Sequence, residues 1–145
     1  MENKKEKRQI TVAIALIKND YGKILLQKRV DPLILDADKK WEFPGGKVEY
    51  GEDPKDTVKR ESLEEIGCQI ELTGILPLIQ SSVWKRTDDK EQHVLVICYE
   101  AKLINGTPSS SDKKVSEIQW FSENEIKQLD TLRGIWDFIN LSNKK

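Results

Sequence analysis

The sequence is poor in the residues that staple or anchor a chain. Only two of its 145 residues are cysteine, Cys68 and Cys98. That is too few for the disulfide framework of a small secreted fold, and both stand in apolar surroundings where a reduced thiol behaves as a small core residue. No apolar run is long enough to span a membrane, and the charged start MENKKEKRQ is not followed by the apolar segment of a signal peptide. Charge of one sign is also lacking, since 24 basic and 25 acidic residues leave a net −1. A protein-wide field that would draw the chain to nucleic acid or to an anionic membrane is therefore not expected, and no basic stripe alternates with aromatics. Neither a repeat nor a linker divides the sequence. The expectation is one domain over residues 1–145, with residues 1–8 as a flexible arm, working in the cytoplasm. A chain of this length buries roughly 70% of its unfolded surface, enough for a core without cross-links.

What is present is an alternation of strand and helix signals. Residues 10–17 (ITVAIALI) are nearly all apolar and β-branched, the pattern of a strand covered on both faces. Asp20-Tyr21-Gly22 then predicts a hairpin into a second strand at residues 23–27. Residues 30–40 hold Pro32 and three acids with no sustained period, which reads as a loop that orders around a ligand. From Asp53 the signals are helical. Asp53 suits the N-cap, Pro54 the first position and Asp56 the positive dipole end, while Gly67 suits a left-handed stop, so a helix is predicted over residues 54–66. Val58 and Ile66 fall on its buried side, with Ser62 between them where a larger apolar residue is expected. Apolar stretches at residues 70–79, 93–99 and 118–121 predict three more strands. The polar connection from Asn105 through Ser111 is expected to be mobile. Ser122 with Glu125 forms a capping box, and Leu132, Ile135, Trp136 and Ile139 give the stripe of a last amphipathic helix. Strands interleaved with single helices argue an α/β fold, a mixed sheet covered by helices on both faces.

Glu61, Glu64 and Glu65 stand at i, i+3 and i+4 of the predicted helix, three carboxylates within about one turn. For an arbitrary helix the ordinary reading is a solvated acidic face, although each like-charge pair costs a few tenths of a kcal/mol. Oxygen-only ligands at this spacing suit a hard divalent cation, Mg²⁺ or Mn²⁺, far better than zinc. Arg60 precedes the cluster and Glu52 lies on the approach to the helix, a pair able to fix where the helix starts and how its carboxylates point. Residues 42–71 hold nine acids against four bases, a local −5 that the balanced total hides.

The run from Gly46 through Glu52, Arg60, Glu61, Glu64, Glu65 and Gly67 to Cys68 resembles the Nudix box, G-x5-E-x7-R-E-U-x-E-E-x-G-U, with U a bulky aliphatic residue. All seven fixed positions match, an agreement that chance gives roughly once in 10⁸ trial positions at average residue usage. The two U positions hold Ser62 and Cys68, which puts packing volume in question and leaves the chemistry intact. The segment Trp41-Glu-Phe-Pro-Gly-Gly-Lys47 is similar to the one leading into the box of MutT-like nucleoside triphosphate pyrophosphohydrolases.

The resemblance implies a Nudix fold, an α/β/α sandwich around a central mixed sheet, and hydrolysis of a nucleoside diphosphate linked to X. Carried over by position, it makes Glu61, Glu64, Glu65 and the Gly45 carbonyl metal ligands, and Arg60 with Glu52 the orienting pair. Either Glu61 or Glu64 would stay free to accept the proton of the attacking water. Asp112 and Glu117 are candidates for a base or extra ligand outside the box, each with an ordinary surface acid as the simpler reading. Arg29, Gly46 and Lys47 are candidates to meet the phosphates, and Phe43 and Trp84 to stack a base, although both aromatics fit a core equally well. His93, the only histidine, reads as a satisfied strand residue. The markers of ADP-ribose, dinucleoside polyphosphate, NADH and coenzyme A hydrolases are missing. An NTP or oxidised dNTP is thus the expected substrate, with NDP-sugar or ADP-ribose-type hydrolysis as the alternative. A non-catalytic nucleotide sensor ranks below both, because all four box acids are kept. The expected partner is a small nucleotide, with neither nucleic acid nor membrane, and a homodimer is compatible with this reading.

Overall fold

The computed structural model describes residues 6–144. Strand β1 (Glu6–Ile17) pairs in parallel with β6 (Lys90–Leu103) and, on its other edge, antiparallel with β4 (Gly45–Lys47). With β5 (Ile70–Lys85) beside β6, this makes a mixed four-stranded sheet in the order β4-β1-β6-β5. A second, antiparallel sheet has the order β3-β2-β7, formed by Trp41–Glu42, Ile24–Arg29 and Val115–Phe121.

Alternation along β1 divides the core. Leu16 joins Cys98, Leu76, Phe43 and Trp41 on the face covered by α2 (Glu123–Ile126) and α3 (Ile135–Asn143), which contribute Ile126, Ile135, Phe138 and Ile139. Ala13, Ala15 and Ile17 lie on the other face with Tyr99 and Ala101, beneath Val58 and Ile66 of α1 (Pro54–Ile66). Helices on both faces of a mixed sheet are the α/β arrangement expected from the sequence.

Helix α1 has the predicted bounds and caps. Asp53 accepts from the Lys55 N–H, Pro54 opens the helix, and Gly67 closes it at φ 70° with its N–H on the Leu63 carbonyl. Ser62 is fully buried and its hydroxyl has no partner, while Cys68, just past the helix, is buried in the cluster with Val58 and Ile66.

Five expectations change. Residues 6–8 of the supposed arm pair with Lys90, Glu91 and Gln92; residues 1–5 lie outside the described residues. The turn after β1 forms, with Asn19 Oδ1 accepting from the Tyr21 and Lys23 N–H groups, but β1 and β2 do not make a hairpin. They meet only at Lys18 and Ile24, because both edges of β1 are already taken. Strands β5 and β6 run well beyond the apolar stretches, since a strand buried on one face keeps polar residues on the other. The connection expected to be mobile docks on the end of α1, its Ser109 N–H donating to the Ile66 carbonyl. Helix α3 starts at Ile135, after Gly134 at φ 90°, and buries Phe138 in place of Leu132. The capping box at Ser122 and Glu125 forms as predicted.

Candidate functional site

The loop before α1 brings its first functional pair together. Glu52 accepts both Arg60 Nε (2.9 Å) and Nη2 (3.0 Å), and also the Thr57 hydroxyl at 2.6 Å and the Glu49 N–H at 3.1 Å. Bonds to a carboxylate favour its charged form, and those from Arg60 hold Glu52 down at about 2. Arg60 is raised in turn by Glu52. Its Nη1 also reaches Glu61 Oε1 at 3.0 Å and lies 3.6 Å from Glu64 Oε1. One guanidinium thus spans three of the four box acids.

Glu61 and Glu65 are turned toward the sheet. A Cβ at Gly46 would lie 2.4 Å from Glu61 Cδ, and one at Gly45 would lie 2.3 Å from the Ala13 carbonyl, where φ is 152°. The glycine pair therefore lets β4 pass between β1 and the acidic face of α1. Glu65 is 6% exposed. Its Oε1 accepts from the Gly45 N–H at 2.8 Å and its Oε2 from Gln27 Nε2 at 3.0 Å. Burial, then the charge of Glu42, nonetheless pushes its carboxyl up to about 8. Glu61 is raised by burial against the opposing pull of Arg60. Glu64 is half exposed at the rim.

Glu42 lies opposite Gln27 in the β2–β3 ladder and accepts from Gln27 Nε2 at 3.2 Å and from Arg29 Nη1 at 3.2 Å. Arg29 also donates Nε and Nη2 to Asp31. Gln27 is 0% exposed, and its Oε1 has no partner. An orphaned buried acceptor costs on the order of 1–3 kcal/mol.

These groups stand at one end of a cleft of about 520 Å³, a size suited to a nucleotide-sized ligand. Arg29, Phe43, Gly45, Gly46, Lys47, Glu61, Glu65 and Trp84 all line it, so most of the sequence candidates are brought together. Val12, Val96, Ile135 and Phe138 give the cleft an apolar wall, and residues of the 30–40 segment line it as well. That segment is anchored on the protein itself, through Ile34 and Ala37 in a cluster with Trp84 and through the Thr87 N–H on the Leu33 carbonyl.

Other candidates are placed differently. Asp112 and Glu117 do not line the cleft: Asp112 Oδ1 accepts from the Lys114 N–H at 2.8 Å and shapes the entry to β7, and Glu117 is exposed beside Lys28. Lys114 lines the cleft instead, and its charge acts on Glu61. Phe43 is a core residue with an edge on the cleft. Trp84 carries the Arg133 guanidinium 3.8 Å from its ring centroid, so one ring face is covered. His93 bridges Gln9 and Ser81, satisfied as expected. Sequence reasoning missed Gln27, Glu42, Thr57 and Lys114. The legible signal was a glutamine ending the apolar run Ile24-Leu25-Leu26.

Among the described residues no three His, Cys, Asp or Glu side chains are already gathered about one point. The donor chemistry still fits a hard cation. Beyond burial, the charges of Glu42 and Glu61 push Glu65 up, the mark of negative charge short of a counter-ion, and every donor is oxygen.

Residues 7–140 match the NUDIX domain family. The chain belongs to it. The 8-oxo-dGTP diphosphatase of Haemophilus influenzae is 45% identical over 62 residues, 43% of this chain and 44% of that protein. The Escherichia coli protein of the same name is 37% identical over 60 residues, 41% of this chain and 45% of that one. The aligned segment thus spans less than half of these curated NUDIX relatives. The crystal structure of the MutT protein from Methanosarcina mazei Go1 superposes with a TM-score of 0.73 at 26% identity, covering 96% of each chain. NUDIX hydrolases generally use divalent metals such as Mg²⁺. No helix among the described residues is long and apolar enough to cross a membrane.

Proposed function

We propose that this NUDIX chain is a Mg²⁺-dependent pyrophosphohydrolase that converts an NTP, foremost an oxidised dNTP, to NMP and pyrophosphate. The observation that carries the reading is the under-compensated cluster of Glu61 and Glu65 beside Gly45 and Gly46, at the mouth of a nucleotide-sized cleft. A polyphosphate brings several negative charges that would repel this cluster, so acids and substrate are compatible only with cations between them. A divalent ion held by Glu61, Glu65 and the Gly45 carbonyl would supply charge neutralisation of the diphosphate and a more acidic water, with Glu64 the carboxylate left free.

The chain's own residues do the rest. Arg60 sets the direction of Glu61 and is itself fixed by Glu52. Glu64, half exposed at the rim, accepts the proton as water oxygen bonds to phosphorus and the P–O–P bridge breaks. Lys47 and Lys114 face the acidic end and receive the phosphate oxygens. Arg29 is committed to Asp31 and Glu42 and acts on the substrate only by exchanging those partners. The apolar wall of the cleft takes the base. Two buried, unpaired thiols support a cytoplasmic setting.

Purified protein incubated with Mg²⁺ and a panel of NTPs, 8-oxo-dGTP, ADP-ribose and NDP-sugars tests this. Pyrophosphate release from 8-oxo-dGTP or an NTP is the expected result. Brisk turnover of a sugar nucleotide with none from the triphosphates would replace it with the second substrate class, and nucleotide binding without any turnover with a sensor.

A further inference from the structure

Gln27 is a fully buried polar side chain beside the acids of the cleft that the proposed reaction does not use. Packing does not require it. Ile24 and Leu26 serve one core face and Leu25 the other, and an apolar residue at position 27 would continue the Leu25 side beneath α1. The register explains what the amide does there. Gln27 faces Glu42 across the β2–β3 ladder, and its side chain points at the last turn of α1, where Glu65 arrives. A single NH₂ group donates to both carboxylates, at 3.0 Å to Glu65 Oε2 and 3.2 Å to Glu42 Oε2. Together with the Gly45 N–H on Oε1, it fixes both oxygens of Glu65. The cost is the orphaned Gln27 Oε1, which an apolar residue would not leave behind.

We propose that Gln27 is a positioning residue for cation capture, its amide holding Glu65 and Glu42 apart and in fixed orientation so that Glu65 meets the ion without rearranging. The proposal rests on the reading of Glu65 as a cation ligand. Groups that orient ligating side chains typically change metal affinity or activity 10- to 100-fold when removed. Gln27→Met keeps the volume and removes the donor. Gln27→Asn keeps the amide but is one methylene too short to span both carboxylates.

The test is a titration of nucleotide-free protein with Mn²⁺, free ion being read by electron paramagnetic resonance, with melting temperature followed in parallel. Gln27→Met is expected to bind Mn²⁺ about tenfold or more weakly, with a melting temperature without cation equal to or above that of the native chain, and Gln27→Asn to fall between. In turnover the half-saturating Mg²⁺ should rise by a similar factor, while KM for the nucleotide at saturating Mg²⁺ stays within about twofold. Unchanged Mn²⁺ affinity in either folded variant overturns the proposal, a lowered melting temperature alone marking a structural role. Absence of Mn²⁺ binding in the native chain would overturn the cation reading itself, so the two failures are distinguishable.

Discussion

The two sides of α1 carry the same residue type in opposite circumstances. On the outer side Glu52 is matched by a bidentate Arg60 and sits far below the ordinary carboxylate range. On the inner side Glu65, five residues on from Arg60, shares its surroundings with Glu42, has no facing cation and is held up at about 8. One motif thus builds a compensated half and a deficient half, and the proposed function gives the first the orienting role and the second the ion. The difference lies in the partners: Arg60, Thr57 and the Glu49 N–H for Glu52, and the uncharged Gln27 amide and Gly45 N–H for Glu65.

The sharpest way to break this division is at the rim. Glu64→Gln removes the half-exposed carboxylate and is expected to lower kcat by on the order of 10³, about 4 kcal/mol, with the melting temperature nearly unchanged. Unaltered kinetics would remove Glu64 from the site.

The deficient half is tested by Glu65→Gln and by pH. The folded carboxyl titrates near 8 against 4.5 in the free group, so its contribution to stability is full below pH 4.5 and is lost as pH rises from 4.5 through 8. Without cation the melting temperature should fall over that window, Mg²⁺ should restore it, and Glu65→Gln should flatten the curve while lowering turnover by 10² or more. Glu52 has the opposite sign: its contribution is present above pH 4.5 and is lost as pH falls toward 2. Calorimetry between pH 2 and 9, with and without Mg²⁺, separates the two.

The compensated half answers to Arg60→Lys. An ammonium cannot bond both oxygens of Glu52 and still reach Glu61, so kcat should drop about 10- to 100-fold with little change in KM. The smallest effect is expected at Ser62→Ala, which deletes a buried hydroxyl that has no partner. Denaturant melts should show it neutral or stabilising by up to about 1 kcal/mol, with activity unchanged.

Helix α1 was fully legible, because every determinant from Asp53 to Gly67 is local and written in consecutive residues. The strand pairing was less so. Nothing in residues 18–24 says that the second strand leaves the sheet of the first, since that depends on β4 and β6 having filled both edges of β1. Glu52, Arg60, Glu61, Glu64 and Glu65 were readable from spacing, whereas the fate of each charge was not. Gln27 and Glu42 meet Glu65 only through a cross-strand register and the docking of a helix, both long-range. Lys114 was missed for the same reason, and the nearby acids Asp112 and Glu117 drew attention because the charge they carry suits a metal.

The most direct measurement of the central claim is the product distribution from 8-oxo-dGTP hydrolysis with Mg²⁺, followed by ³¹P nuclear magnetic resonance. Our account predicts 8-oxo-dGMP and pyrophosphate, formed only with the cation present and lost in Glu64→Gln. Release of orthophosphate with the nucleoside diphosphate, or turnover that persists without divalent cation, would contradict it.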